Sequence, residues 1–386
     1  MSLLHWVWLG LAVQPGSAVI DRILERFPDP EEFFLSGTAG IKEVGGIWER
    51  DAIRIRATTL DMAKEAIENA ENYGAKVISK DMEEFPKRLL DIKTCPPVLY
   101  ALGDTKYLNT MPAIAIVGTR RLSDYGRKMA EIISGGLASS GVTVISGMAE
   151  GIDSEAHKAC LRNGGKTVAV QGCGICNTFP AGNVELKELI AANGVVISEF
   201  APDAEPQGSF FPIRNRLVSG MSLGVCVIEA AARSGTSITA NLAMEQGRKV
   251  FAVPADVLRS TSQGTFRLLK QGAVPVARAS DILAEFSEEY PEIINTENTD
   301  GKRSFVPSEE EISPPIEPKK KIKKALPDGI SENAAKIYKL IEHTPKFADE
   351  LSEKAELSAP EAAAALTELE LYGLIKPVAG RRFIIA

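Results

Sequence analysis

Ile114-Ala115-Ile116-Val117-Gly118-Thr119-Arg120-Arg121-Leu122-Ser123-Asp124-Tyr125-Gly126 is the stretch on which the fold turns. A short apolar run ends in glycine and two arginines, and a helix is predicted to begin near Asp124. The same texture repeats along the chain, with strands predicted at Ala113–Val117, Val142–Ile145, Thr167–Val170, Val195–Ser198, Val225–Ile228 and Lys249–Val253. Apolar strands separated by helices of roughly 10–16 residues imply right-handed crossovers and a parallel sheet covered on both faces. The fold class read from this pattern is α/β, a Rossmann-like doubly wound core spanning residues 76–285. Ligands in such sheets sit outside the carboxyl ends of the strands, so function is sought in the loops there.

Around this core the texture differs. Apolar residues recur at helical spacing through residues 1–75, which read as a small helical domain. Within it, Ile41-Lys42-Glu43-Val44-Gly45-Gly46-Ile47 resembles a helix-hairpin-helix turn. Residues 286–327 read as a linker, ending in Lys319-Lys320-Lys321-Ile322-Lys323-Lys324, because a Glu-, Pro- and Lys-rich stretch cannot bury a core. Residues 328–386 resume helical periodicity and end in two short strands around Ala379-Gly380, the pattern of a winged helix.

The chain has 386 residues, 45% hydrophobic and 25% charged, the composition of a globular protein with two or three domains. Its formal charge of -7 is uneven: residues 1–75 hold 7 Lys/Arg against 12 Asp/Glu, while 110–285 hold 17 against 15. Any polyanion site therefore belongs to the middle of the chain. The apolar opening Leu3–Leu11 has no basic residue before it and is short for a membrane span, so neither a signal peptide nor membrane insertion is predicted. Five cysteines, mostly inside apolar runs, suit a reducing cytoplasm better than a disulfide framework. Cys173 and Cys176 form only half of a zinc pattern, so no metal and no cofactor are predicted.

The loops carry the chemistry. Gly118, Thr119 and Arg120 follow the first strand of the core, offering close backbone approach and a guanidinium suited to phosphate. Ser146, Gly147 and Gly151 follow the second, with Asp153 expected to cap the next helix and His157 to bond to Asp153 as a structural residue. Arg214, Asn215 and Arg216 precede the strand at 225–228, and Arg233, Ser234 and Gly235 follow it. Together these loops describe a polar groove, provided the strand order brings them side by side.

The segments FPKRLLDIKTCPPVLYALGD (85–104), IAIVGTRRLSDYG (114–126), VISGMAEGIDSEAH (144–157), GGKTVAV (164–170), SFFPIRNRLVSG (209–220), IEAAARSGTSITA (228–240) and GRKVFAVPA (247–255) resemble, in order and spacing, the successive blocks of the DNA-processing protein A (DprA) family. The resemblance implies a non-enzymatic, dimeric single-stranded-DNA-binding protein that protects incoming DNA and helps load a RecA-type recombinase in natural transformation. It assigns phosphate binding to Arg120, the pocket to Gly118, Ser146, Gly147 and Gly151, and neighbouring contacts to Asn183, Arg214, Asn215 and Arg216. Three departures stand out. No lysine accompanies Asn183, and the nearest is Lys187; Pro254-Ala255 replaces Pro-Gly; Cys173 and Cys176 occupy a loop that lacks cysteine in typical members.

Two other classes compete. A Rossmann-like phosphoribohydrolase would use Glu229 or Asp153 as a catalytic carboxylate, but no PGGxGTxxE-like block is present. A winged-helix duplex-DNA binder would need a basic recognition helix, and Ser358–Tyr372 has no Lys or Arg.

Overall fold

The computed structural model describes residues 2–110, 112–232, 234–291, 326–327, 329–341, 346–355, 357–378 and 382–385. The chain divides into two compact units, 1–316 and 317–386. The first opens with helices α1 (Leu3–Ala12), α2 (Val19–Arg26), α3 (Pro30–Val44), α4 (Glu49–Ala57) and α5 (Leu60–Asn72). Strands β1 (Lys76–Ser79) and β2 (Val98–Gly103) follow, and then the core proper. It comprises β3 (Ala113–Val117), α6 (Asp124–Ser139), β4 (Thr143–Ser146), α7 (Ile152–Arg162), β5 (Thr167–Val170), α8 (Val184–Asn193) and β6 (Val195–Ser198). It continues with α9 (Phe210–Gly220), β7 (Gly224–Val227), α10 (Gly235–Glu245), β8 (Lys249–Ala252), α11 (Gln263–Lys270), β9 (Val274–Pro275) and α12 (Ala279–Leu283).

The nine strands lie in the order β1-β2-β6-β5-β4-β3-β7-β8-β9. From β6 to β9 all neighbours are parallel, as the sequence predicts, while β1 and β2 add an antiparallel edge beside β6. Alternation along each strand covers both faces: Ala113, Ala115 and Val117 of β3 join a core layer with α9, α10 and α11, whereas Ile114 and Ile116 join α6, α7 and α12. Phe286, beyond α12, extends that second layer against the ring of Phe251.

The five N-terminal helices share one apolar cluster with Val77, Val98, Tyr100, Ala169 and Val196, so they cover the antiparallel edge of the same sheet. Helix α1 is apolar on nearly every side because it is buried: Trp6, Val7, Trp8 and Leu9 are all in the core, and the Trp8 indole donates to Thr58 O at 2.9 Å. Gly10 allows the close fit, since a Cβ there would stand 2.8 Å from Val98.

The second unit contains α13 (Glu332–Leu340), β10 (Lys346–Phe347), α14 (Ala348–Lys354), α15 (Ala359–Leu371), β11 (Ile375–Val378) and β12 (Arg382–Ile385). Its strands order β10-β12-β11, and a separate core of Ile337, Leu351, Leu366, Leu369 and neighbours holds the helices. Capping is explicit in the sequence: Ser358 and Glu361 form a capping box on α15, and Glu368 accepts from the Ser331 amide and hydroxyl at the start of α13. Lys319–Lys324 lie outside the described residues.

Candidate nucleic-acid interface

Strand β3 is the first of the parallel set, and the chain winds from it to β4, β5 and β6 on one side before crossing to β7 on the other. That reversal makes a switch point between β3 and β7, the position at which open α/β sheets hold ligands in a crevice outside the carboxyl ends of their strands. The condition set by the sequence is met: β4, β3 and β7 are neighbours, so the loops at 118–123, 147–151 and 228–235 meet along one edge.

Local contacts show why glycines are needed there. Gly151 adopts φ 85, and a Cβ would stand 2.3 Å from Thr119 O. A Cβ on Gly118 would meet Ile152 at 2.5 Å, so α7 can start close against the β3 loop. Thr119 O accepts from Ile152 N at 3.2 Å and Gly118 O accepts from the Thr236 hydroxyl at 3.0 Å, which ties the β3 loop to α7 and α10. Arg120 is exposed, and its guanidinium lies over the Phe211 ring at 5.1 Å. Phe179, itself 39% exposed, packs on Phe211 with centroids 5.2 Å apart. On the β7 side Ser234 caps α10 by accepting from Ser237 N, and Asn215 reaches Gly235 O at 3.5 Å. Arg233 lies outside the described residues.

Four of the residues named from the sequence turn inward instead. Ser146 is buried and donates to Ile116 O at 2.6 Å. Asn183 is buried and donates to Met148 O and Ser154 Oγ, both at 2.9 Å, which fixes Met148 in a left-handed conformation of φ 56. Arg214 is buried, with its guanidinium donating to Gly147 O and Val170 O. A Cβ on Gly147 would run into that guanidinium, so the glycine and the arginine fit each other. Arg216 is also buried, chelating Glu199 with Nη1 to Oε1 at 2.6 Å and donating to Thr94 Oγ1 at 3.0 Å and Thr94 O at 2.9 Å. Thr94 N in turn donates to Asp21 Oδ2 at 2.8 Å, so Arg216 locks α2 to the core. Arg214 and Arg216, expected as DNA contacts near the groove, are instead buried with their donors engaged: a buried guanidinium needs several acceptors, and these have them.

The Asp153 and His157 expectations are corrected as well. Gly151, not Asp153, is the N-cap of α7, and Asp153 accepts at 3.4 Å from Ala149 N in the loop that precedes the helix. Burial raises its carboxyl to about 6, with the Arg214 charge partly offsetting. His157 does not bond to Asp153; its Nδ1 pairs with the Thr167 hydroxyl at 2.7 Å, and burial with Arg214 nearby pushes the imidazole down to about 3. Glu229, the rival's catalytic carboxylate, is buried and accepts from Ser123 N at 3.0 Å and Ser123 Oγ at 2.6 Å. Both of its oxygens are committed to the start of α6.

A family model for DNA recombination-mediator protein A matches residues 76–287, and one for the DprA winged helix domain matches 321–381. The chain belongs to the DNA recombination-mediator protein A family. It is 28% identical to the Smf protein of Synechocystis over 98% of both chains. Among solved structures it is similar to DNA processing protein A of Streptococcus pneumoniae, at TM-score 0.66 and 30% identity over 74% of this chain and 98% of that one. It is also similar to the Helicobacter pylori protein described for its single-stranded DNA binding mode, at TM-score 0.52 and 30% identity over 56% and 98%.

The departures from the family pattern now have physical readings. Lys187 does not stand in for the lysine expected beside Asn183. Its ammonium is buried, donating to Asn177 O at 2.8 Å, Tyr73 OH at 3.2 Å and Ile175 O, and burial pushes it down to about 8. Cys173 and Cys176 lie in the loop that Lys187 holds, where Cys173 accepts from Gln171 Nε2 at 3.1 Å and Cys176 donates to Asn69 O at 3.8 Å. Pro254 O accepts the Tyr125 hydroxyl at 2.7 Å, which sets the turn after β8. Phe179 and Phe211 are the residues that sequence reasoning passed over; Phe211 stands inside the quoted block 209–220 and Phe179 four residues before Asn183, and an aromatic beside a polar, arginine-bearing segment was the available signal.

Proposed function

We propose that this chain binds single-stranded DNA across the β3/β7 switch point and acts as a recombination mediator, protecting incoming DNA and helping to load a RecA-type recombinase in natural transformation. The single observation that carries the reading is Arg120 laid over Phe211 beside Phe179, because it sets a phosphate-binding cation next to aromatic surface of which the Phe179 ring is exposed. Backbone contact gives affinity for any strand, whereas a free ring face selects unpaired bases. Gly118, Thr119, Gly147, Gly151, Ser234, Gly235 and Asn215 shape the path, while Ser146, Asn183, Arg214 and Arg216 hold it from beneath.

The protein acts without catalysis in this reading, in the cytoplasm and as a homodimer. Exposed Met244 on α10 and Phe266 on α11, both over the same core layer, support self-association. No helix among the described residues is long and apolar enough to cross a membrane. A competition gel shift with single-stranded and duplex DNA of equal length, at two salt concentrations, tests the proposal. Preference for the single strand is the expected outcome, and equal or stronger duplex binding overturns it.

A further inference from the structure

The crevice has a wall on its far side that the glycine loops and Arg120 leave unexplained. Strand β8 runs into Val253-Pro254-Ala255-Asp256-Val257-Leu258-Arg259, and at the tip of this loop Leu258 is 89% exposed and Val257 52%. Exposed leucines are ordinary singly, so exposure alone decides nothing. What distinguishes this pair is how the tip is built and where it stands.

The tip is braced from within. Asp256 Oδ1 accepts from Leu258 N at 3.0 Å, Asp256 O accepts from Arg259 N at 3.1 Å, and Arg259 O accepts from Ser262 N at 3.1 Å. The Arg259 guanidinium stays half-exposed, 3.9 Å from Asp256. The loop is also fastened to the crevice. Tyr125 of α6 donates to Pro254 O at 2.7 Å, Ala230 N donates to Thr261 O at 2.8 Å, and Thr261 Oγ1 reaches at 3.5 Å the same Glu229 carboxylate that holds Ser123. Two large apolar side chains are thus presented to water by a loop fastened to the scaffold of the β3 and β7 loops.

Their position completes a path. Strand spacing sets β5 and β8 about 19 Å apart across the sheet. Phe179 and Phe211 lie at the β5 end, Arg120 and Arg121 lie on the loop after β3, and Val257, Leu258 and Arg259 lie at the β8 end. A polynucleotide crossing the carboxyl ends of these strands meets aromatic surface, then cations, then aliphatic surface with a further cation beside it. Leucine side chains that meet nucleic acid do so by packing against base faces, which only an unstacked strand offers without a cost in unpairing.

We infer that the Val257–Leu258 tip is a second base contact, packing on an unpaired base where a single strand leaves the crevice on the β8 side, with Arg259 on the adjoining phosphate. The inference rests on the single-strand reading above, and its test separates the two. Full-length protein and the Val257→Ala/Leu258→Ala variant are titrated with a single-stranded oligonucleotide and with one of equal length and charge carrying abasic residues, each at two salt concentrations. The variant should lose roughly five- to tenfold in affinity for the base-containing strand and nothing for the abasic one, with its salt slope unchanged. A Leu258→Met variant should retain wild-type affinity, and thermal unfolding midpoints should coincide because neither side chain is in the core. Equal losses on both oligonucleotides, or no loss on either, would overturn the tip contact while leaving the crevice reading intact. Failure of the wild-type protein to bind either oligonucleotide would overturn the crevice reading itself.

Discussion

Arg120 and Arg214 stand beside glycine loops at the same end of one sheet, and their circumstances are opposite. Arg120 is exposed and rests on an aromatic ring, whereas Arg214 is buried with its donors on two backbone carbonyls. The first can exchange water for a phosphate at little cost. The second cannot leave its acceptors without stranding Gly147 and Val170 carbonyls in the interior. The β3 loop is therefore the contact surface, and the Arg214–Arg216 block is the frame that shapes it.

The largest effect that can break this comparison is on stability. Arg214→Ala and Arg216→Ala should each cost about 3–5 kcal/mol in urea unfolding, the first by orphaning carbonyls and the second by leaving Glu199 buried without its partner. Combining Arg216→Met with Glu199→Leu should recover much of the second loss, since a well-packed apolar pair replaces a desolvated ionic one. Near-native stability of either alanine variant would return that arginine to the groove.

The frame also carries two groups with opposed titrations. Asp153 holds its proton up to about 6 in the native state, against about 3.9 in the unfolded chain. Its contribution is complete below pH ~4 and is lost as pH rises through 6. His157 is pushed down to about 3 from about 6.5, so its contribution is complete above pH ~6.5 and is lost as pH falls. Between pH ~4 and 6 the two slopes, each at most about 1.4 kcal/mol per pH unit, nearly cancel. His157→Gln should expose a stability that falls with rising pH there, and Asp153→Asn one that rises, both read from urea midpoints across that window. A shared slope in all three proteins would contradict the burial of this pair. His157→Gln should leave DNA affinity unchanged.

Much of this was legible before any coordinates. The alternating runs of β3, β4 and β7 can satisfy a covered parallel sheet and little else, and glycine after a strand marks where a backbone must pass closely. Burial of Arg214 and Arg216 was not legible, because their partners lie 67 and 17 positions away at Gly147 and Glu199. His157 misled for the same reason: Asp153 lies one helical turn away, yet Thr167 on β5 is closer in space. Strand β2 also escaped, since a short apolar run such as Val98–Leu102 suits helix and strand alike.

Arg120→Ala provides the next, smaller test. It should lower single-strand affinity about tenfold and flatten the log–log salt slope by roughly 0.7, while urea unfolding stays unchanged. Sequence preference should hardly move, because a phosphate contact carries no base information. A loss of stability in this variant would make Arg120 part of the frame and erase the contrast with Arg214.

The smallest effect is expected from the winged helix. DNA-binding versions lay the second helix of the helix-turn-helix in the major groove, where Arg, Lys, Asn or Gln reach base edges. Helix α15 presents Ala363, Ala364, Thr367, Glu370 and Leu371 to solvent and contains no basic residue. Glu361 and Glu368 cap helices within the domain, and their hydrogen bonds hold both carboxyls below the usual range. Residues 325–386 hold 7 Lys/Arg and 10 Asp/Glu, so the domain's net field opposes a polyanion. Its exposed Leu371 and Tyr372 at the end of α15 suit a protein partner instead. Deleting residues 325–386 while keeping Lys319–Lys324 should therefore leave single-strand affinity within about threefold, under roughly 0.7 kcal/mol. A loss beyond tenfold by fluorescence anisotropy would make the winged helix a DNA contact and set it beside the β3 loop.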